Sequence, residues 1–268
     1  PLQFATLAAS MIGVGTIGNL LASYPMAFAE TMIGWRATMV CLAVLCAIIA
    51  VGVQVTVKDP EKAVSETKGS LLDVLRIPAL WLIAPIAIVG YVPAAAIRGA
   101  WMGPYLNEVH GLSSSEIGTA ALIMGIAMIG GVFLYGPLDR WFGTRKWVVF
   151  GGNILTLCFL LGLYAFGASS YIVTIIMLCG VGFFGATFPV VIAHGKGFFP
   201  AHLTGRGVTL LNMFSIGGVG LAQMVARPLH DSYQGTDAAA PFAAVFLLFA
   251  VMLITGLSLY LFSQDNTD

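Results

Sequence analysis

Residues 171–193 read YIVTIIMLCGVGFFGATFPVVIA, without a single Asp, Glu, Lys or Arg. An uninterrupted apolar run of this length matches the ~20 helical residues that cross a hydrocarbon core of roughly 30 Å. It does not alternate polar and apolar positions, so it does not read as the ~10-residue strand of a membrane barrel. Runs of the same kind occupy residues 4–28, 35–57, 79–106, 116–137, 147–167, 207–229 and 241–263. With residues 171–193 they make about eight candidate spans, and the chain reads as an all-α integral membrane protein.

Composition agrees. The 268 residues are 59% hydrophobic and 9% charged, whereas soluble domains carry about 25% charged residues. The 32 glycines suit helices that pack closely in lipid. Lys plus Arg equals Asp plus Glu, so the net charge is zero and no nucleic-acid partner is expected. Cys41, Cys46, Cys158 and Cys179 lie in apolar runs with no CxxC pair, which reads as small hydrophobes. Gly195-Lys196-Gly197 lacks the spacing and the Ser or Thr of a phosphate-binding loop. The acids and histidines are scattered, not clustered at one membrane face, so no enzyme, metal or cofactor is expected. Pro1-Leu2-Gln3 runs straight into an apolar segment, and the chain reads as a fragment.

Alternating the connections places Lys58, Lys62, Lys68, Arg76, Arg140, Arg145, Lys146, Lys196 and Arg206 on one side and only Arg36 and Arg227 on the other. By the positive-inside rule the first side, with both chain ends, is cytoplasmic. Trp81, Trp101, Tyr105, Trp141, Trp147 and Tyr171 fall near span ends, where interfacial aromatics belong. Residues 58–78, KDPEKAVSETKGSLLDVLRIP, are the longest hydrophilic stretch and close on an amphipathic piece, 71–76. They read as a linker between helices 1–57 and a six-helix bundle, 79–268. A weak repeat at an offset of 203 residues pairs Thr6-Leu7 with Thr209-Leu210, Gly15 with Gly218 and Pro25 with Pro228. Repeated halves are how secondary transporters are built.

Between two spans lies Gly136-Pro137-Leu138-Asp139-Arg140-Trp141-Phe142-Gly143-Thr144-Arg145-Lys146. The run of Gly, Asp-Arg, Gly and paired basic residues resembles the cytoplasmic signature of the major facilitator superfamily, with Asp139 one position closer to Gly136 than usual and one extra residue before Gly143. Gly34-Trp35-Arg36, Phe199-Pro200 with Thr204-Gly205-Arg206, and Ala100-Trp101-Met102-Gly103-Pro104-Tyr105-Leu106 resemble further family segments in matching order. The resemblance implies two six-helix bundles of which helices five to twelve are present, residues 1–57 being the last two helices of the first. It also implies that Gly136, Asp139, Arg140, Gly143, Arg145 and Lys146 form a gating loop. In that loop Gly136 and Gly143 permit a tight turn, Asp139 accepts hydrogen bonds or pairs with a base, and Arg145 and Lys146 hold the loop in the cytoplasm.

Arg98 is the only charge well inside a span, and such residues are functional by default. Tyr91, Arg98 and Tyr105 recur every seven residues with Trp101 beside them, and Pro93, Gly99, Gly103 and Pro104 weaken this half of the helix. Asn212 and Gln223 share a face of the penultimate span, with Ser215 close by; Thr16, Asn19 and Ser23 form a similar stripe on the first. Arg98, Trp101, Tyr91, Asn19, Asn212 and Gln223 are therefore the candidate substrate-binding residues, and polar stripes that merely join helices are the competing reading. His194 and His202 read as solvated loop residues. The expected function is secondary active transport of a small polar or anionic solute by alternating access, by a monomer in a bacterial inner membrane. A coupling proton or ion would have to use Glu30 or helices outside this chain. A non-transporting membrane sensor or assembly partner with a transporter-like fold is the alternative.

Overall fold

A computed structural model describes Gly18 and residues 24–57, 70–233, 235 and 237–266. The helices in chain order are α1 Tyr24–Thr56, α2 Leu71–Leu75, α3 Pro78–Val89, α4 Val92–Ala96, a π-helical turn Ile97–Trp101, α5 Met102–His110, α6 Ser114–Phe142, α7 Lys146–Phe166, α8 Tyr171–Phe184, α9 Phe188–Lys196, α10 Thr204–Ser232 and α11 Ala240–Tyr260. Among the described residues 7 helical stretches are long and apolar enough to cross a membrane. Six of them follow residue 70: Pro78–His110, Ser114–Phe142, Lys146–Phe166, Tyr171–Lys196, Thr204–Ser232 and Ala240–Tyr260. The span expected at 4–28, with Asn19, Thr16 and Ser23, lies outside the described residues apart from Gly18 and 24–28.

Local sequence sets the boundaries. Ser70 and Asp73 close a capping box on α2, and Ser113 and Glu116 close another on α6, each satisfying two orphan amides at a helix start. The amphipathic character read for 71–76 is visible in α2, where Val74 is buried and Leu72 exposed. Within α1, Gly34 has φ 78° and ψ 156°, a region essentially reserved for glycine, so the chain bends sharply before Trp35-Arg36. Most side chains of α1 remain exposed, although the helix packs along α6.

Two of the six later spans are broken. Pro78–His110 turns at Gly90–Tyr91 and widens into the π turn at Ile97–Trp101; Pro85 and Pro93 remove amides on either side of the turn. Tyr171–Lys196 opens between α8 and α9 at Gly185, Ala186 and Thr187. The breaks meet. The rings of Tyr91 and Phe188 lie 5.2 Å apart. Buried Asn153 of α7 donates to Val149 O at 2.9 Å and to Thr187 Oγ1 at 3.0 Å, and Tyr135 donates to Phe184 O at 3.0 Å. Neighbouring side chains thus serve polar groups beside a helix break, as a lipid environment demands.

The six later spans enclose two buried clusters, one at each end of the bundle. One gathers Trp101, Tyr105, Met124, Phe242 and Phe246; the other gathers Ile83, Tyr135, Val149, Leu211 and Tyr260. Close crossings depend on small residues. A Cβ on Gly218 would stand 2.0 Å from Ile88 O, and one on Gly131 would stand 2.1 Å from Phe183 O.

Candidate functional site

The π turn is the centre of the first site. Its wide register sends consecutive side chains to different neighbours. Arg98 reaches α6, where Nε donates to Ala121 O at 3.5 Å. Gly125 makes room there, for a Cβ would lie 3.3 Å from Arg98 Nη2. Trp101 points the other way. Its Nε1 donates to Gln223 Oε1 of α10 at 2.6 Å, and Gln223 Nε2 returns to Ala96 O at 3.5 Å. A helix widened beside a polar side chain is a frequent mark of a working site.

Beside this pair opens a cavity of about 450 Å³. Ala100, Trp101, Pro104 and Glu108 line it from the broken span, and Gln223, Arg227, His230 and Asp231 line it from α10. Of the residues expected to bind solute, the structure brings Trp101 and Gln223 together on this cavity and sets Arg98 on the same turn but against α6. Tyr91 lies deeper, against Phe188. Asn212 is exposed on α10, about 16 Å along the axis from Gln223, and Asn19 is outside the described residues. Tyr105 does not share a face with Arg98. It is 1% exposed and packs against Phe242 and Phe246, each 5.2 Å away. The π turn shifts the seven-residue register. Trp101 and Tyr105 are buried, whereas Trp81, Trp141 and Trp147 are exposed.

The charged lining was not read from the sequence. Its signal was present: Gln223, Arg227, His230 and Asp231 continue the polar stripe of α10 at steps of four and three, and Ala100, Pro104 and Glu108 recur every four on the facing helix.

At the opposite end, Asp139 and Arg140 lie in the last turn of α6, and Gly143 caps it with φ 63° in the left-handed region. Gly136 sits within the helix and faces open space, so the turn is made by Gly143 and not by Gly136. Asp139 pairs with Arg145, Oδ2 to Nε 3.3 Å, and its Oδ1 is buried without a hydrogen-bond partner.

The paired bases then engage the chain's own tail. Asp265 accepts hydrogen bonds from the Thr144 hydroxyl, from Arg145 N at 3.2 Å and from Lys146 N at 3.0 Å. Lys146 Nζ donates to Leu261 O at 2.7 Å and Ser263 O at 2.8 Å. His194 is fully buried in α9, not solvated in a loop. Its Nε2 donates to Gln264 O at 2.9 Å and its Nδ1 accepts from the Tyr260 hydroxyl at 2.8 Å. Asn266 donates to Gly197 O at 2.8 Å. Residues 261–266 therefore clasp the α6–α7 loop to the end of α9. Hydrogen bonds from Thr144, Lys146 and Arg145 hold the Asp265 carboxyl below the ordinary aspartate range, although burial, the largest single influence, pushes it up.

A family model described as Major Facilitator Superfamily matches residues 2–222 and again residues 94–268. A putative transporter, AraJ, of Escherichia coli K12 is 24% identical over 195 residues, covering 72% of this chain and 48% of that protein. An alpha-ketoglutarate permease of Bacillus subtilis 168 is 29% identical over 99 residues, covering 37% of this chain and 22% of that protein. The match thus spans less than half the length of either relative.

Proposed function

Because this chain belongs to the major facilitator superfamily, an all-α family of membrane transporters, we propose that it forms part of a secondary transporter for a small anionic or polar solute. One observation carries the reading. The polar side chains set in apolar spans, Arg98 and Gln223, both engage the broken stretch Tyr91–Trp101, beside a cavity of about 450 Å³. Broken helices commonly line transporter sites because their freed backbone groups can meet a solute. Arg98 supplies a fixed positive charge for an anion, Trp101 and Gln223 orient the solute, and Tyr91 and Asn212 extend the polar path along the bundle. The permease named for alpha-ketoglutarate makes organic anions the first solutes to try.

In this reading residues 1–57 close a first bundle, 58–78 are a cytoplasmic linker and 79–268 are the second bundle. The protein works as a monomer in a bacterial inner membrane with the Arg145 end cytoplasmic, a reading that the charge bias supports. The bundles rock about the bound solute, and the α6–α7 loop gates them. The unpartnered Oδ1 of Asp139 supports that gate, since a buried carboxylate oxygen is costly unless another state supplies a donor.

The test is uptake of labelled organic anions, alpha-ketoglutarate included, into vesicles holding the full-length protein. Arg98→Gln and Arg98→Lys are each expected to lower uptake at least tenfold, since removing a charged hydrogen bond costs about 1.5–3 kcal/mol. Unchanged uptake in both would remove Arg98 from the site. Asp139→Asn is expected to alter the balance of inward- and outward-facing forms seen by accessibility labelling; an unchanged balance would remove the gate.

A further inference from the structure

A second cavity, between α6 and α7, is not lined for a polar solute. It holds about 380 Å³ near the Arg145 end. Leu138 and Phe142 of α6, Trp147, Gly151 and Leu155 of α7 and Phe184 of α8 form its walls. The hydroxyls that line it are committed elsewhere: Tyr135 donates to Phe184 O at 3.0 Å, and Thr144 donates to Asp265. The groove is open to the outside, for Phe142, Trp147 and Leu155 are exposed. Gly151 leaves it empty, since a Cβ there would meet nothing within 4 Å. From Thr144 to Leu155 the groove runs roughly 16 Å along the α7 axis, close to half of a ~30 Å hydrocarbon core. It has the length of one leaflet.

Its charged edge lies at the start of α7. Lys146 Nζ sits 5.2 Å from the centroid of the Trp147 ring, which lines the groove. The ammonium donates to Leu261 O and Ser263 O. Both acceptors are neutral carbonyls, so neither cancels its charge, and one of its N–H donors is left. Arg140, in the last turn of α6, is exposed and forms no ion pair among the described residues. Around this loop Arg140, Arg145 and Lys146 stand against Asp139 and Asp265, an excess of positive charge. An apolar groove beneath a basic edge is the complement of a lipid, and basic pockets between membrane helices are where anionic headgroups dock. We propose that the groove holds one acyl chain of an anionic phospholipid, with its phosphate at the Lys146–Trp147 edge. The lipid fills the space between α6 and α7 and braces the two helices from outside. The proposal needs the protein's place in a membrane and not its transport of any solute.

Trp147 is the probe. Full-length protein with Trp147 as its sole tryptophan is titrated in detergent with phosphatidylglycerol or phosphatidylcholine carrying the same brominated chains, which quench an indole on contact. Quenching is expected to saturate, with phosphatidylglycerol reaching half-saturation at an about fivefold lower concentration, the worth of one basic contact to an anionic headgroup. Gly151→Phe fills the groove without touching its edge and should weaken both lipids at least about tenfold, the loss of roughly two buried methylenes. Val251→Phe, on the exposed face of α11, should weaken neither. Lys146→Gln should abolish the preference for phosphatidylglycerol, and Lys146→Arg should keep it. If removing the other tryptophans does not yield a monodisperse protein, native mass spectrometry makes the same comparison: phosphatidylglycerol retained by the unsubstituted protein should be lost in Gly151→Phe. Quenching or retention that Gly151→Phe leaves unchanged, or quenching that never saturates and is equal for both lipids, overturns the proposal. An indole that neither lipid quenches means that another helix covers the groove, and overturns it too. A preference that survives Lys146→Gln overturns the place of the headgroup.

Discussion

The two ends of the six-helix bundle are built to opposite specifications. At the Arg145 end an ion pair, the tail 261–266 and buried His194 knit the ends of three helices with hydrogen bonds of 2.7–3.4 Å. At the Trp101 end the chain spends its polar groups on a cavity wall, and the helix that bears them is itself widened. The first arrangement suits an end that must hold one shape until something breaks it. The second suits an end that must admit a guest.

The same substitution at the two ends should separate them most. A Cβ on Gly152 would stand 2.2 Å from the Tyr135 hydroxyl and 2.6 Å from Thr187, whereas Gly99 in the π turn has nothing within 4 Å. Gly152→Val is expected to cost about 3 kcal/mol by overpacking. Gly99→Val is expected to stay within about 0.5 kcal/mol, as surface changes do. Thermal unfolding in detergent decides; equal losses would erase the contrast.

Next in size is the clasp. A spin label on exposed Phe262 should gain mobility in Asp265→Ala, with the tail released about tenfold more often if one hydrogen bond to a charged group, about 1.5 kcal/mol, is lost. Acid should do the same. A carboxyl held low in the folded protein stabilises the clasp above its unfolded value of about 3.9 and loses that contribution as pH falls through the still lower folded value. Mobility should therefore be constant from pH 8 to 5 and rise only below about pH 4. A rise already between pH 8 and 5 would show that Asp265 is not the group whose charge holds the tail. The smallest effect is expected at Gln223→Leu. It strands the Trp101 indole N–H at the cavity and should lower stability by about 1 kcal/mol, with a shift in Trp101 emission.

Much of this was legible in the residues. The spans after the linker were found because twenty apolar residues in a row have few meanings, and they extend a few residues beyond the apolar runs because caps such as Ser113–Glu116 are polar. The break in the span holding Arg98 was visible in Pro93 and Gly99. What the break did to the register was not. A π turn holds one residue more than an α turn, which local hydropathy does not mark, and it sends Arg98 to α6, Trp101 to α10 and Tyr105 into the core. His194 misled for a related reason. Its buried place depends on Tyr260 and Gln264, about seventy residues away.

By itself the sequence determined that this chain is helical and lies in a membrane, which end of each span carries the positive charge, and, through several short motifs in matching order, a resemblance to its family. These follow from local hydropathy and charge, which lipid reads one helix at a time. Only the tertiary structure decided which polar side chains meet. Trp101 with Gln223, His230 between two rings and Asp265 under Lys146 are contacts between distant segments, set by how broken helices rotate against their neighbours.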